Sequence, residues 1–432
     1  MFLTIFILLA LLSGLSGCAS SHEPEEVAYV LALGIDHGSS NLRRVTYLIA
    51  TPRQTPTGIE GTGGAGGGGG GGNEDKTFMT TTVEAPSIYA SLNLINSFVG
   101  RRVSLMHTKI LVFSEAMARD GSLAEVIPAL LQFREIRGTT VMAISKDPPE
   151  KALENMNTPF TGNPSKFIEL MEGSTIFTGL APFTTLRDFY NFMKIEGVNN
   201  VCSLISLSKN ELPPQEGQGS YKSEGDHRAG ELVKEGGSAI EALGAAAFDG
   251  THMVGELTGD ENVFYSMITG EFKTGFFSFE DPLNPRNPIS IQIFESRRPR
   301  IKVDITPDET FIYAKILLDG NILGNPSLID YAMPEKRRAL EQHLSDYMKK
   351  RMEALVRRTQ EEFKSDILRF GLAARKSTLT MAQWLDVNWA ERYPEATVQI
   401  DVNFKIRRTG LNYRVLPAVD PQKGIREGEN PR

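Results

Sequence analysis

Cysteine is scarce in this 432-residue chain, with only Cys18 and Cys202 present, so no framework of internal disulfides staples the fold. Cys18 lies in the N-terminal segment, which leaves Cys202 as the one structural or reactive thiol of the body. Histidine is sparse as well. His22, His37, His107, His227, His252 and His343 are scattered, and none stands in a His-Glu-x-x-His pattern. A Gly-x-Ser-x-Gly elbow and a Cys-x-x-Cys pair are also missing. The chain is therefore expected to hold no metal and no cofactor, and not to be an enzyme. Paired carboxylates leave no sequence trace, so a surface hydrolase stays open at this level. An excess of positive charge is the third absence: 46 Lys and Arg against 53 Asp and Glu give a net charge of -7. A general polyanion binder needs a basic surface, so nucleic acid is not an expected partner. Beyond residue 18 there is no apolar run near the roughly 20 residues of a membrane-spanning helix.

The long apolar run that does exist is N-terminal. Residues 2–12, Phe-Leu-Thr-Ile-Phe-Ile-Leu-Leu-Ala-Leu-Leu, suit a signal-peptide core and are too short to cross about 30 Å of hydrocarbon. Leu15-Ser16-Gly17-Cys18 follows, the pattern of a bacterial lipobox, in which the cysteine is acylated and becomes the new N-terminus. Cys18 is the expected lipidation site. Acyl chains partition at about 0.8 kcal/mol per buried methylene, so two or three of them hold a protein on a bilayer. One feature departs from the pattern, since no Lys or Arg precedes Cys18.

The remaining composition, 41% hydrophobic and 23% charged, is that of a globular protein too long for one typical domain. Apolar and β-branched runs predict strands at Val27 to Ile35 and Arg43 to Ala50. Residues 52–76 then interrupt with prolines and a glycine run from Gly61 to Gly72, the composition of a flexible insertion. No Gly-Lys-Ser/Thr follows it, so it is not a phosphate-binding loop. Helical spacing recurs at Ile88, Leu92, Ile95 and Val99, closed by Gly100, and again at Leu123, Val126, Ile127, Leu130 and Leu131. Strands are expected at Lys109 to Phe113, Thr139 to Ile144 and Val201 to Leu207. Asp147-Pro148-Pro149-Glu150 reads as a cap opening a helix, with further helices at Pro164 to Met171 and Leu186 to Ile195.

After a polar stretch, Asp249-Gly250 between two apolar runs marks a hairpin, and Thr258 with Glu261 forms a capping box. Ile289 to Phe294, Arg300 to Ile305 and Phe311 to Leu318 predict an antiparallel meander. Pro334 to Phe370 is the longest helical candidate, with Gly371 suited to cap it. Thr397 to Ile406 alternates as a half-buried strand. The expected fold class is α+β: three mixed α/β domains with largely antiparallel sheets after a cleaved lipoprotein signal peptide. The division is 1–17 signal peptide, 18–207 N-terminal domain, 208–237 loop or linker, 238–288 middle domain with the hairpin, 289–415 C-terminal domain and 416–432 a disordered tail.

A lipobox followed by Leu31-Ala32-Leu33-Gly34-Ile35-Asp36 resembles the spore germination lipoproteins of the GerAC or Ger(x)C family. Gly100-Arg101-Arg102, His107 to Phe113 and Glu135-Ile136-Arg137 are similar to that family's first-domain landmarks. Ala245 to Gly250 with Val254 to Gly259 resembles its hairpin, and Trp389, Tyr393-Pro394 and Val398 to Gly410 its ending. Ala19, where the family often has tryptophan, and the glycine insertion depart from it. The resemblance implies a subunit of a nutrient germinant receptor, on the outer face of the inner spore membrane. Its partners would be two membrane-embedded subunits of the A and B type and the lipid bilayer, through acylated Cys18. Whether it meets the nutrient directly is not implied. A solute-binding lipoprotein of a transporter is the alternative.

Residue by residue, the plain expectations differ from a ligand site. Asp36 reads first as a turn former, His107 and Lys109 as flanks of a strand, and Trp384 and Trp389 as core.

Overall fold

In a computed structural model, residues 26–51, 78–156, 164–209 and 226–410 are described. Cys18, the apolar leader, the glycine run and the 416–432 tail lie outside them.

Two sheets organise these residues. The first contains β1 (Val27–His37), β2 (Arg43–Ala50), β3 (Phe78–Ala85), β4 (Arg102–Ser104), β5 (Ile110–Ser114), β6 (Val141–Ser145), β7 (Val201–Leu207), β8 (Ile240–Asp249) and β9 (His252–Leu257). Its order is β3-β2-β1-β5-β6-β7-β8-β9, with β4 pairing the start of β1. The strands β1, β5, β6 and β7 run parallel, while both flanks are antiparallel. Every residue of β5 and β6 is buried. That explains their unbroken apolar reading, since parallel strands are covered on both faces.

The covers are helices. α1 (Ile88–Val99), α2 (Glu115–Arg119), α3 (Leu123–Gln132), α4 (Pro149–Glu154), α5 (Pro164–Thr178) and α6 (Leu186–Phe192) follow in chain order. The stripes of α1, α3 and α6 bury Ile95, Ile127, Leu130 and Phe189 against Leu33, Phe113 and Ile144 on one face. On the other face Leu153 of α4 and Ile168 of α5 pack on Val112 and Ala143. Beyond β7 that second face is covered by the rest of the chain, where Val201, Ala245 and Ala247 join Tyr265, Phe370 and Trp389 in one core.

The hairpin forms at Asp249-Gly250, and both arms of the Thr258–Glu261 capping box are made at the start of α7 (Gly259–Thr269). The second sheet is β10 (Thr274–Glu280), β11 (Pro288–Ile305), β12 (Thr310–Gly324) and β13 (Thr397–Arg408), in that order. The first three are antiparallel, and β13 lies parallel to β12. On this sheet lies α8 (Pro334–Glu361), burying Leu340, Leu344, Met348, Met352 and Leu355 at helical spacing. Three short helices precede β13: α9 (Phe370–Ala374), α10 (Met381–Val387) and α11 (Trp389–Glu395). The sheets do not divide the chain where the sequence blocks do. The hairpin within 238–288 extends the first sheet, and β10 opens the second.

Three local expectations are corrected. The long helix ends at Glu361 rather than Phe370, because Lys364 and Arg369 take positive φ and Asp366 gathers the following N–H groups. Gly371 is consequently no C-cap. It sits inside α9, where a Cβ would meet Val198 Cγ2 at 2.6 Å and the Trp389 indole nitrogen at 2.7 Å. Asp147 does not cap α4 either: Pro148 holds the cap position, and the Asp147 carboxylate accepts from the Leu207 N–H at 2.7 Å and Ser206 at 2.8 Å. Finally, the two short strands expected within 289–305 are one bulged strand, β11.

Candidate functional site

Several regions of the described residues concentrate polar side chains, among them the ion pairs of Glu256 with Lys146, Arg119 and Arg228, and two others hold residues of the candidate site. The first lies where β5 and β6 begin. The Lys109 N–H donates to the Leu31 carbonyl at 2.8 Å, and the Val141 N–H to the Lys109 carbonyl at 3.0 Å, so these strand starts are held level. Around them His107, Lys109, Arg137, Thr139, Thr140 and Glu169 line a cleft of about 130 Å³. That is small beside the roughly 300–1,000 Å³ of a drug-sized ligand pocket, so it suits a small polar solute or water. Lys109 Nζ lies 3.1 Å from Glu169 Oε1, and hydrogen bonding from Lys109 and Lys166 holds the Glu169 carboxyl below its usual range. The His107 ring stands edge-on to Tyr29, 4.7 Å between centroids. Glu135 turns inward, accepting from the Leu105 N–H at 2.9 Å. The structure thus brings Arg137 to His107 and Lys109, two landmarks that the sequence presents separately, and both His107 and Lys109 flank the strand as expected.

The second region is buried and joins the two sheets. Asp366 accepts from the Phe370 N–H at 3.0 Å, the Gly371 N–H at 2.6 Å and the Trp389 indole N–H at 2.9 Å. Its own carbonyl accepts from the Asn199 N–H at 3.1 Å, next to β7. The Asn199 side chain donates to Ser365 at 2.8 Å and to Asp249 at 3.0 Å, and accepts from the Gly250 N–H at the hairpin tip at 2.7 Å. Ser365 completes the ring by donating to the Phe248 carbonyl at 2.7 Å. Burial pushes the Asp366 carboxyl up to about 6, against the pull of the N–H groups that favour its charged form. Nearby, Arg369 reaches Glu271 and Asn200 and lies over the Phe192 ring.

Other residues singled out by sequence go elsewhere. Asp36 ends β1 and accepts from the His37 N–H, while His37 pairs with Asp120 at 2.6 Å. Cys202 is buried, which pushes its thiol up and leaves it without thiolate character. Trp384 and Trp389 are core, with ring centroids 6.0 Å apart. Asn199 and Asp366 are the residues sequence reasoning missed; both lie in short irregular segments, and the Asn199 side chain meets Ser365, 166 positions away. Among the described residues no group of three or more His, Cys, Asp or Glu could hold a metal, and no helix is long and apolar enough to cross a membrane.

Comparison with known proteins places this architecture in steps. The solved structure described as the GerBC protein shares the fold, with a TM-score of 0.51 at 14% identity, covering 87% of this chain and 96% of that one. Residues 20–207 match the family model of the spore germination protein N-terminal domain, and residues 243–410 that of the spore germination B3/GerAC-like C-terminal region. The chain belongs to the GerAC, or Ger(x)C, family of spore germination proteins, the C-subunit family of germinant receptors. Among curated relatives, spore germination protein KC of Bacillus subtilis (strain 168) is 21% identical over 416 residues, 95% of this chain and 96% of that one. The putative spore germination protein YfkR of the same organism is 23% identical, covering 93% and 95%. Spore germination protein GerQC of Bacillus cereus is 22% identical over 42% of this chain and 49% of its own.

Proposed function

We propose that this chain is the lipid-anchored C subunit of a nutrient germinant receptor, held at the outer face of the inner spore membrane through acylated Cys18. There it contributes to germination by assembling and signalling with membrane-embedded subunits of the A and B type. The observation that carries the reading is the match of both family models, in order, along residues 20–207 and 243–410. The lipobox at Leu15 to Cys18, directly after an export-type apolar run, supports the anchor. The junction at Asp366, which ties the short helices before β13 to the hairpin of the first sheet, is the place where such a signal would cross the chain.

The test is Cys18→Ala in the producing cell, followed by fatty-acid labelling, fractionation and a nutrient-germination assay. Loss of acyl labelling and a weakened nutrient response are expected. Retained labelling would rule out Cys18 as the anchor. Full germination after deletion of the whole gene, with related receptors also removed, would defeat the receptor reading.

A further inference from the structure

The end of the first sheet from which the chain leads back to Cys18 carries exposed apolar and basic side chains. β1 starts at Val27, and its first residues pair with β4, Val27 beside Arg102. The helix α1 is tied to the same place, since Asn96 Oδ1 accepts from the Val103 N–H at 2.9 Å. Around this point three large apolar side chains face outward: Leu94 is 46% exposed, Phe98 56% and Met106 54%. Leu94 and Phe98 are four residues apart on α1 and so share a face. In sequence Arg101 and Arg102, both exposed, fall between them and Met106. From Ala85 to Ser114 there is no Asp or Glu, although the chain holds 53 of them. The rim is apolar with two exposed arginines, and the acidic groups beside it are Glu26, next to Val27, and Glu135, which accepts from the Leu105 N–H at 2.9 Å.

We propose that this rim is the surface with which the anchored chain rests on an anionic lipid bilayer, Phe98, Leu94 and Met106 entering the interface and Arg101 and Arg102 meeting lipid phosphate. The proposal rests on the anchored reading and adds an orientation to it. Cys18 is eight residues from Glu26, a reach of at most about 29 Å when fully extended. A folded body of this size is roughly 50 Å across, so the side carrying Val27 is the one held near the bilayer. Apolar side chains flanked by arginines are the composition that binds an interface without crossing it, because burial of the former and attraction of the latter add. A second exposed apolar group, Leu379 at 92% with Met381 and Leu385, lies in α10 and the bend before it, beside the exposed Lys376, and has no such tether next to it.

The experiment uses the mature polypeptide cut after Gly17 and carrying Cys18→Ala, so that no acyl chain contributes. It is sedimented with phosphatidylcholine vesicles with or without phosphatidylglycerol. Binding that rises several-fold with phosphatidylglycerol and falls with added salt is expected. Phe98→Ser and Arg101→Glu should each lower it several-fold, and Leu379→Ser should leave it unchanged. The proposal is overturned if the parent shows no dependence on anionic lipid, if the rim variants bind like the parent, or if Leu379→Ser loses as much. It is equally overturned if Phe98→Ser fails only to co-purify with membrane-embedded proteins, which would make the rim a protein contact. Acyl labelling of the unsubstituted chain judges the anchor separately, so loss of one reading is distinguishable from loss of the other.

Discussion

The junction at Asp366 and the rim at β4 hold polar groups under opposed conditions. At the junction a carboxylate is taken fully out of water, and each of its oxygens is answered by a donor, Phe370 and Gly371 from the next turn of chain and Trp389 from a later helix. At the rim the guanidinium of Arg101 is exposed and the neighbouring apolar side chains have not been buried. Folding explains the first arrangement, because an unanswered buried carboxylate costs several kcal/mol. It does not explain the second, because exposing Phe98 and Leu94 together adds nothing to the stability of the body. Residues kept for the fold and residues kept for a surface can thus be told apart by whether removing them moves stability.

The largest break in that comparison is expected from Trp389→Ala. Trp389 is buried, packs against Trp384 and Tyr393 and donates to Asp366. Truncation of such a side chain costs about 3–5 kcal/mol, to which the loss of one of the two donors on Asp366 Oδ2 adds. Denaturant unfolding of the mature polypeptide should show it, and a loss below about 1 kcal/mol would mean that the two sheets are held together elsewhere.

Asp366→Asn is the next in size. An amide offers one acceptor where the carboxylate has two, so one of the three donors is left facing an NH₂ group, a loss of about 1–3 kcal/mol. The substitution also changes the pH dependence. With its folded value raised to about 6 by burial, Asp366 keeps its proton in the folded chain at pH values where the unfolded chain has lost it. Its stabilising contribution is therefore present below about pH 4 and is lost as pH rises through about 6. The substituted chain should lack that decline between pH 4 and 7, and an unchanged profile would remove Asp366 as its source.

Much of this architecture was legible in the sequence because it depends on local patterning. The Thr258–Glu261 capping box, the Asp249-Gly250 hairpin and the stripe from Leu340 to Leu355 are each set by residues within a few turns of one another. What failed was non-local. Gly371 has the form of a helix cap, and only the approach of Val198 and Trp389 shows why no side chain fits there. Likewise β3 and β10 were missed. Thr80, Thr81 and Thr82 are polar enough to hide an edge strand, and β10 becomes a strand only by pairing with β11. The approach of Arg137 to His107 and Lys109 follows from parallel pairing of β5 and β6, which no spacing along the chain reveals.

The smallest effect on stability is expected at the rim, and it sharpens the comparison most. Phe98 lies on the outward side of α1, while the inward side of the same helix buries Ile88, Ser91 and Ile95. Replacing Phe98 with serine leaves those inward contacts untouched and removes apolar surface already in water, so unfolding should move by no more than about 0.5 kcal/mol. A slight gain in solubility is consistent with the loss of an exposed ring. The measurement is a denaturant melt of the Phe98→Ser mature polypeptide beside Ile95→Ser, which places a hydroxyl in the core and should lose several kcal/mol. If the two variants melt alike, Phe98 is part of the packing of the first sheet, and its retention needs no membrane. If only Ile95→Ser is destabilised, the outward ring is not kept for the fold, and its use is at a surface.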